Sequence, residues 1–480
     1  MHTIILALAL TCGDLTAFQM PGMSVTITKA EKPTDNLPAR CRVDGVIDQR
    51  TGAGGKTYGI GFAVSLPDNW NGRFLFQGGG GLNGNVANPV GAQAAGDMSA
   101  LARGFAVVTT DTGHKATTGG FDSTFMADQQ AALDFYWEAN GRVAPLAKEI
   151  VARYYGKPAD HSYFVGCSTG GREGMIMSQR YPSYFDGIVS GDPAIRTGNS
   201  NLGLASFRAA MNGITPALTD ADKKLVVDSI VKTCDEKDGL KDGLIFNRKA
   251  CNFDPSTLVC SGAKTDSCLT ASQASGIQKA FAGPKDSHGN AIYPAFPYDA
   301  GVIDPAGLPG ILRSGGASPV NQNTASAAFD ADKAAFDLAA NATARAGDAL
   351  WTNLSTFSGH GGKLIFYHGM SDPWFSPLDT VGYYENMSSA NGGMDKVKDW
   401  SRLFLVPGMG HCQGGTATVD SFDMLSAIMN WVENGKAPDS VTAKSRTQPV
   451  RSRPLCAYPA YAEYSGKGDP QSAASFVCKN

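Results

Sequence analysis

Gly166-Cys167-Ser168-Thr169-Gly170 sets a serine between two glycines at the spacing G-x-S-x-G. The apolar run "HSYFV" precedes it and "GREGMIMSQR", helical in pattern, follows. Strand, glycine-permitted turn and helix make the context of a nucleophile elbow, in which the turn lifts the hydroxyl above a sheet. A serine is a weak nucleophile at its own pKa and needs a base that a third group orients. Of the seven histidines, His411 in "RLFLVPGMGHCQGG" is best placed, after an apolar strand and before a glycine-rich turn. Asp372, in "HGMSDPWFSP", follows the strand "KLIFYHG" and precedes His411; Asp379, farther from the strand end, is the fallback acid. His368, which ends that strand, is read as packing or bonding to the loop. Ser168, Asp372 and His411 stand in the chain order serine, acid, histidine that accompanies such an elbow.

A cysteine touches both reactive positions in sequence: Cys167 precedes the serine and Cys412 follows the histidine. Nucleophile and base must come within about 3 Å of each other. Their neighbours then fall in the roughly 4.4–6.8 Å Cα range of a disulfide, so a Cys167–Cys412 bond tethering nucleophile to base is expected. The other eight of the ten cysteines pair as Cys12–Cys41, Cys234–Cys251, Cys260–Cys268 and Cys456–Cys478. No C-x-x-C pair points to zinc. Disulfides imply an oxidising compartment, hence a secreted or periplasmic protein. "MHTIILALAL" is apolar but carries no Lys or Arg, a poorly formed or truncated signal, and is too short to span a bilayer.

Strand and helix patterns alternate through the first 195 residues and resume near 363, which calls for an α/β fold with a mainly parallel sheet and helices on both faces. The texture between is polar, Ala-rich and loop-rich. The simplest organisation is an α/β-hydrolase core, residues 1–196 and 353–480, interrupted by an inserted lid domain at 197–352. The formal net charge of −3, with no basic run, gives no footing for nucleic acid or an anionic membrane. No organic cofactor motif is present. Backbone N–H groups for an oxyanion hole are expected from Thr169, after the nucleophile, and from the turn 78–81, at Gly80 or Gly81. Asn341, Asn353 and Asn386 head N-x-S/T sequons that matter in a eukaryotic host.

"GCSTGGREG", "HGMSDPWFSP" and "VPGMGHCQGG", with "LPARCRVDGVI", "TDTGH" and "WVENGKAPDS", resemble the tannase and feruloyl esterase family over most of the chain. The resemblance implies Ser168 as nucleophile, His411 as base and Asp372 as its orienting acid, with the same tethering disulfide. It also bears on "CDEKDGLKDGLIFNRKAC", which places three aspartates close together without the EF-hand spacing. The family's lid carries a calcium loop, which implies carboxylates from Asp235, Asp238 and Asp242 plus the carbonyls of Leu240 and Leu244, a structural Ca2+ site. The implied substrate is a small aromatic ester, feruloyl or hydroxycinnamoyl first, galloyl or terephthaloyl monoesters behind. Trp374 and Phe375, and the lid aromatics Phe207, Tyr293, Phe296, Tyr298, Phe329 and Phe336, are candidates for acyl contact or for core. Arg208, Arg248, Arg313 and Arg345 are available to a substrate carboxylate. A catalytically silent hydrolase fold used for binding is the contrasting reading, and the complete serine, acid and histidine set argues against it.

Overall fold

A computed structural model describes residues 10–117, 119–303 and 329–480. The first ten-residue apolar stretch, apart from Leu10, and Arg313 lie outside the described residues. The chain divides into two compact units, Met1–Pro193 with Asn353–Ile365 and Met424–Ala437, and Ala194–Thr352 with Phe366–Asp423 and Pro438–Asn480. No helix among the described residues is long and apolar enough to cross a membrane.

In the first unit the sheet runs β1 (Val25–Glu31), β2 (Arg40–Thr51), β3 (Thr57–Pro67), β5 (Ala106–Thr110), β4 (Arg73–Gln77), β6 (His161–Cys167), β7 (Gly187–Gly191), where β8 (Lys363–Gly369) begins. β1, β2 and β3 are consecutive and antiparallel, because short turns can join antiparallel neighbours only. β4, β5, β6 and β7 are parallel and are joined by crossovers. Their sequences show why they lie centrally. Phe74–Phe76, Ala106–Val108, Tyr163–Val165 and Ile188–Val189 are all buried, continuous apolar runs that suit a sheet covered on both faces rather than one. Helices Ala139–Tyr155, Thr169–Arg180 and Met424–Asn434 pack on these strands. The last of them is anchored to the sheet by Glu433, which accepts hydrogen bonds from Arg73 Nε at 2.7 Å and Tyr163 Oη at 2.6 Å. Cys12–Cys41 ties the N-terminal segment to β2, with Cα atoms 5.6 Å apart.

In the second unit β8 ends beside β9 (Ser401–Val406). The Ala194–Thr352 segment contains helices Thr197–Asn212, Asp220–Cys234, Ala271–Ala282 and Ala331–Ala340. Two of them start at full capping boxes, Thr219 with Asp222 and Thr270 with Gln273, which satisfy amide groups the first turn leaves open. The segment has its own apolar cluster, including Val226, Ile230, Leu269, Ile277, Phe281, Tyr293 and Phe296. Phe207 and Tyr298 pack against that cluster, whereas Phe336 is 73% exposed. The Cys234–Cys251 and Cys260–Cys268 bonds close its loops and Cys456–Cys478 joins the C-terminal strands. Asn341, Asn353 and Asn386 are exposed.

Burial raises several carboxyls of the first unit, Asp111 and Asp134 among them, and Asp111 yields a testable pH dependence of stability. Asp111, at the end of β5, takes the N–H of Gly61 at 2.8 Å and of Gly113 at 2.9 Å on one oxygen. Burial pushes its carboxyl up to about 7, against the pull of those two amides. A folded-state pKa above the unfolded value means that the protonated form is favoured by folding. Its stabilisation is complete below the unfolded pKa of about 3.9 and is lost as pH rises to the folded one. Asp111→Asn keeps an acceptor for both amides, so its melting temperature is expected to depend less on pH between 4 and 7 than that of the native protein. Parallel curves in a thermal-melt series over that interval would contradict this.

Candidate functional site

In the first unit β6 is buried from Ser162 to Cys167 and ends in a turn whose apex is Ser168. Ser168 has φ 66° and ψ −123°, a conformation that costs a non-glycine residue about 1–3 kcal/mol and persists only where the surroundings over-determine it. Here they do. Ser168 N–H donates to Gly191 O at 3.0 Å, Gly170 N–H to Gly79 O at 3.1 Å, and Gly78 N–H to Val165 O at 2.9 Å. The glycines are required by approach distance: a Cβ on Gly166 would stand 2.5 Å from Gly170 O, and one on Gly170 2.7 Å from Gly79 O. Ser168 therefore sits where a strand, a helix start and the 78–81 turn meet with only main chain between them. Cys167 Sγ lies 3.5 Å from Asp192 Oδ2.

The same turn has a second anchor that sequence reading missed. Glu173, one turn into the helix and 1% exposed, accepts from Gly79 N–H and from Asn83 Nδ2, each at 2.9 Å. Burial raises its pKa, and these two donors, together with Arg172 and Asn140, act the other way. Thr169 donates its hydroxyl to Gly81 O. Among the described residues no acceptor takes the N–H of Thr169, Gly80 or Gly81, the groups a developing oxyanion would need. The signal for Glu173 was the acid in "GREG", placed on the helix so near the elbow.

In the second unit Asp372 and His411 are joined directly, His411 Nδ1 to Asp372 Oδ2 at 2.6 Å. The Asp372 side chain is fully buried. Its Oδ1 accepts from Trp374 N–H at 2.8 Å and Phe375 N–H at 3.1 Å, and His368 Nε2 lies 3.3 Å from Oδ2. Burial opposes ionisation of this carboxyl, yet the charge of His411 and the hydrogen bonds from His368 and His411 hold it well below the usual carboxylate range. An ionised acid on Nδ1 fixes the tautomer and leaves Nε2 as the working nitrogen. His368 is itself held, through Nδ1 to Thr380 Oγ1 at 2.8 Å and Nε2 to Phe375 O at 2.9 Å. Trp374 and Phe375 lie against the His411 ring, at 5.7 and 5.3 Å between centroids. Asp379, the fallback acid, is committed elsewhere: it accepts from Arg196 Nε at 2.9 Å and Nη2 at 2.6 Å.

In the acidic loop Asp235 accepts from Gly243 N–H at 2.9 Å, Asp238 from Phe246 N–H at 3.0 Å, and Asp242 from Leu244 N–H at 3.1 Å. Asp242 also pairs with Arg453. Asp235 and Asp238 are buried, at 4% and 2% exposure. Burial raises both carboxyls, Asp238 to about 7. Asp235 Oδ1 is buried without a hydrogen-bond partner. Cys167 and Cys412 are each disulfide-bonded, and no described cysteine is free.

Residues 41–479 match the family described as tannase and feruloyl esterase. The chain is 38% identical to the mono(2-hydroxyethyl) terephthalate hydrolase of Piscinibacter sakaiensis, over 92% of this chain and 85% of that one. It is 30% identical to a probable feruloyl esterase of Arthroderma benhamiae, over 86% and 81% of the two chains. The crystal structure of feruloyl esterase B from Aspergillus oryzae superposes with a TM-score of 0.79 at 26% identity, over 98% of this chain and 99% of the other. A family match across nearly the whole length, with relatives at this identity, makes the chain a member of the tannase and feruloyl esterase family of carboxylic ester hydrolases.

Proposed function

We propose that this protein is a secreted serine esterase acting on esters of aromatic acids, with Ser168 as nucleophile, His411 as general base and acid, and Asp372 as the orienting acid. The observation that carries the reading is the 2.6 Å bond between His411 Nδ1 and a fully buried, ionised Asp372, a pair with no evident use other than to hold a base. In this scheme Ser168 Oγ attacks the ester carbonyl and passes its proton to His411 Nε2. The tetrahedral oxyanion is held by the N–H of Thr169 and of Gly80 or Gly81. His411 then gives the proton to the departing alcohol, and the acyl group stays on Ser168. A water gives up its proton to His411 and attacks the acyl carbonyl, and as the second tetrahedral intermediate collapses His411 returns that proton to Ser168 Oγ, which leaves with release of the acid. A Cys167–Cys412 bond would hold nucleophile and base to one spacing. The inserted segment is the proposed lid, forming the acyl side of the pocket.

Hydroxycinnamoyl esters are the first substrate class, supported by the full-length likeness to a feruloyl esterase structure. Terephthalate monoesters are the second, favoured by the 38% identity to an enzyme named for one. Hydrolysis of methyl ferulate, methyl gallate and mono(2-hydroxyethyl) terephthalate, measured side by side, ranks them. Ser168→Ala is expected to lower kcat by at least about a thousandfold on whichever is used. A folded Ser168→Ala protein of near-native activity would remove Ser168 from the mechanism.

The acidic loop is proposed to bind a structural Ca2+ through Asp235, Asp238 and Asp242 with the carbonyls of Leu240 and Leu244. The fit rests on the unpartnered, buried Oδ1 of Asp235 and on all-oxygen donors, which suit a hard cation. Chelation is expected to lower the melting temperature and added Ca2+ to restore it, with Mg2+ doing less. Asp238→Asn should abolish the response. A melting temperature indifferent to chelator and Ca2+ would sink the site.

A further inference from the structure

Both loops that carry the acid and the base are held from a third place in the chain. Asp299, in the inserted segment and 2% exposed, accepts on Oδ2 from Ser371 Oγ at 2.7 Å and from Gly408 N–H at 2.7 Å. Ser371 is bonded to Asp372, and Gly408 stands three residues before His411. Ser371 Oγ in turn accepts the N–H of Gly301 at 3.1 Å. Gly301 is packed so closely that a Cβ there would stand 2.4 Å from Gly408 O and 2.7 Å from Ser371 Oγ. The two loops are also joined by main chain alone, Met370 N–H to Val406 O and Ser371 N–H to Met409 O, each at 2.9 Å. Those bonds form a seam about which the loops could still turn. A carboxylate reaching both from outside the seam removes that freedom.

A second attachment follows the same route. Ser376 donates its N–H to Tyr293 Oη at 2.9 Å and its Oγ to Ala295 O at 2.6 Å. The 293–301 stretch thus braces the acid loop at both ends, while Asp299 also takes a hydrogen bond from the base loop through Gly408, against which Gly301 packs.

We propose that Asp299 is a positioning residue for ester hydrolysis, fixing the relative placement of the Asp372 and His411 loops; this rests on the reading of those two residues as acid and base. It acts through Ser371 and Gly408. Without it the His411–Asp372 bond is expected to loosen, and a displacement of about 1 Å can cost on the order of a hundredfold in rate. A less firmly held imidazolium also gives up its proton sooner, so the acid limb of the kcat/KM profile moves to lower pH.

The test measures kcat, KM, the pH profile and the melting temperature of D299A, D299N and S371A, with S168A alongside, on the fastest ester of the panel. D299A is expected to lose about 30- to 100-fold in kcat with KM within about twofold, and to show the shifted limb. D299N retains a carbonyl oxygen that can accept from both donors and is expected to recover kcat to within about threefold. S371A, which removes one donor and provides the readout if D299A does not fold, should show the same limb shift with a smaller loss. Native kcat and an unmoved limb in D299A, or in S371A where D299A is unfolded, overturn the proposal. So does a lowered melting temperature with an unchanged kcat for the folded protein. An active S168A overturns the triad and this proposal with it, whereas a dead S168A beside an unimpaired D299A overturns this proposal alone.

Discussion

In the proposed mechanism Asp372 orients His411 and has to remain ionised, and its carboxyl is held well below the usual carboxylate range with no exposure of its side chain. Burying a carboxylate is costly unless hydrogen bonds replace the lost water. Much of the second unit's local structure can be read as that replacement. The loop after β8 folds back so that two consecutive amides, Trp374 and Phe375, point at Oδ1. His411 and His368 stand at Oδ2. His368 could not serve there unless its own ring were held, and Thr380, on helix Pro377–Ala390, holds it. The position of that helix is fixed in turn by Asp379 and Arg196. One buried charge thereby sets a hierarchy of polar contacts running outward from the histidine.

The first unit meets a different constraint by a similar route. Ser168 is held in strained backbone, and the strain is sustained because nothing near it can relax. Three glycines, Gly78, Gly166 and Gly170, pack main chain against main chain where a methyl group would not fit. Glu173 then fixes the neighbouring turn through a buried carboxylate. Rigidity is bought by removing side chains at the point of contact and placing a well-satisfied polar group just behind it. Preorganisation of this kind is what a nucleophile and an oxyanion site both require.

How much of this could be read in advance depended on range. The elbow was legible because strand, glycine turn and helix are consecutive and each follows from local pattern. Asp372 and His411 were legible because each follows an apolar run that reads as a strand. The choice of Asp372 over Asp379 rested on nearness to a strand end, and the structure separates them by partner: His411 for one, Arg196 for the other. Glu173 and Asp299 were not singled out, since neither lies in a motif whose chemistry names them. Their roles exist only through contacts 94 and 109 residues apart. The Ala194–Thr352 segment read as polar and loop-rich, yet it has an apolar cluster of its own whose members are scattered between Val226 and Val302. That scatter leaves no periodic run for a sequence pattern to show.

The sequence by itself determined the candidate serine, acid and histidine, their order along the chain, the α/β alternation and the cysteines beside the serine and the histidine. All of these follow from local periodicity, turn chemistry or adjacency, which are properties of neighbouring residues. Only the tertiary structure decided which carboxylate meets His411, which aromatic side chains of the insertion are core, and which buried acids hold the loops. Those outcomes depend on burial and on long-range hydrogen bonds, and a carboxylate acquires its role from the donors that folding brings to it.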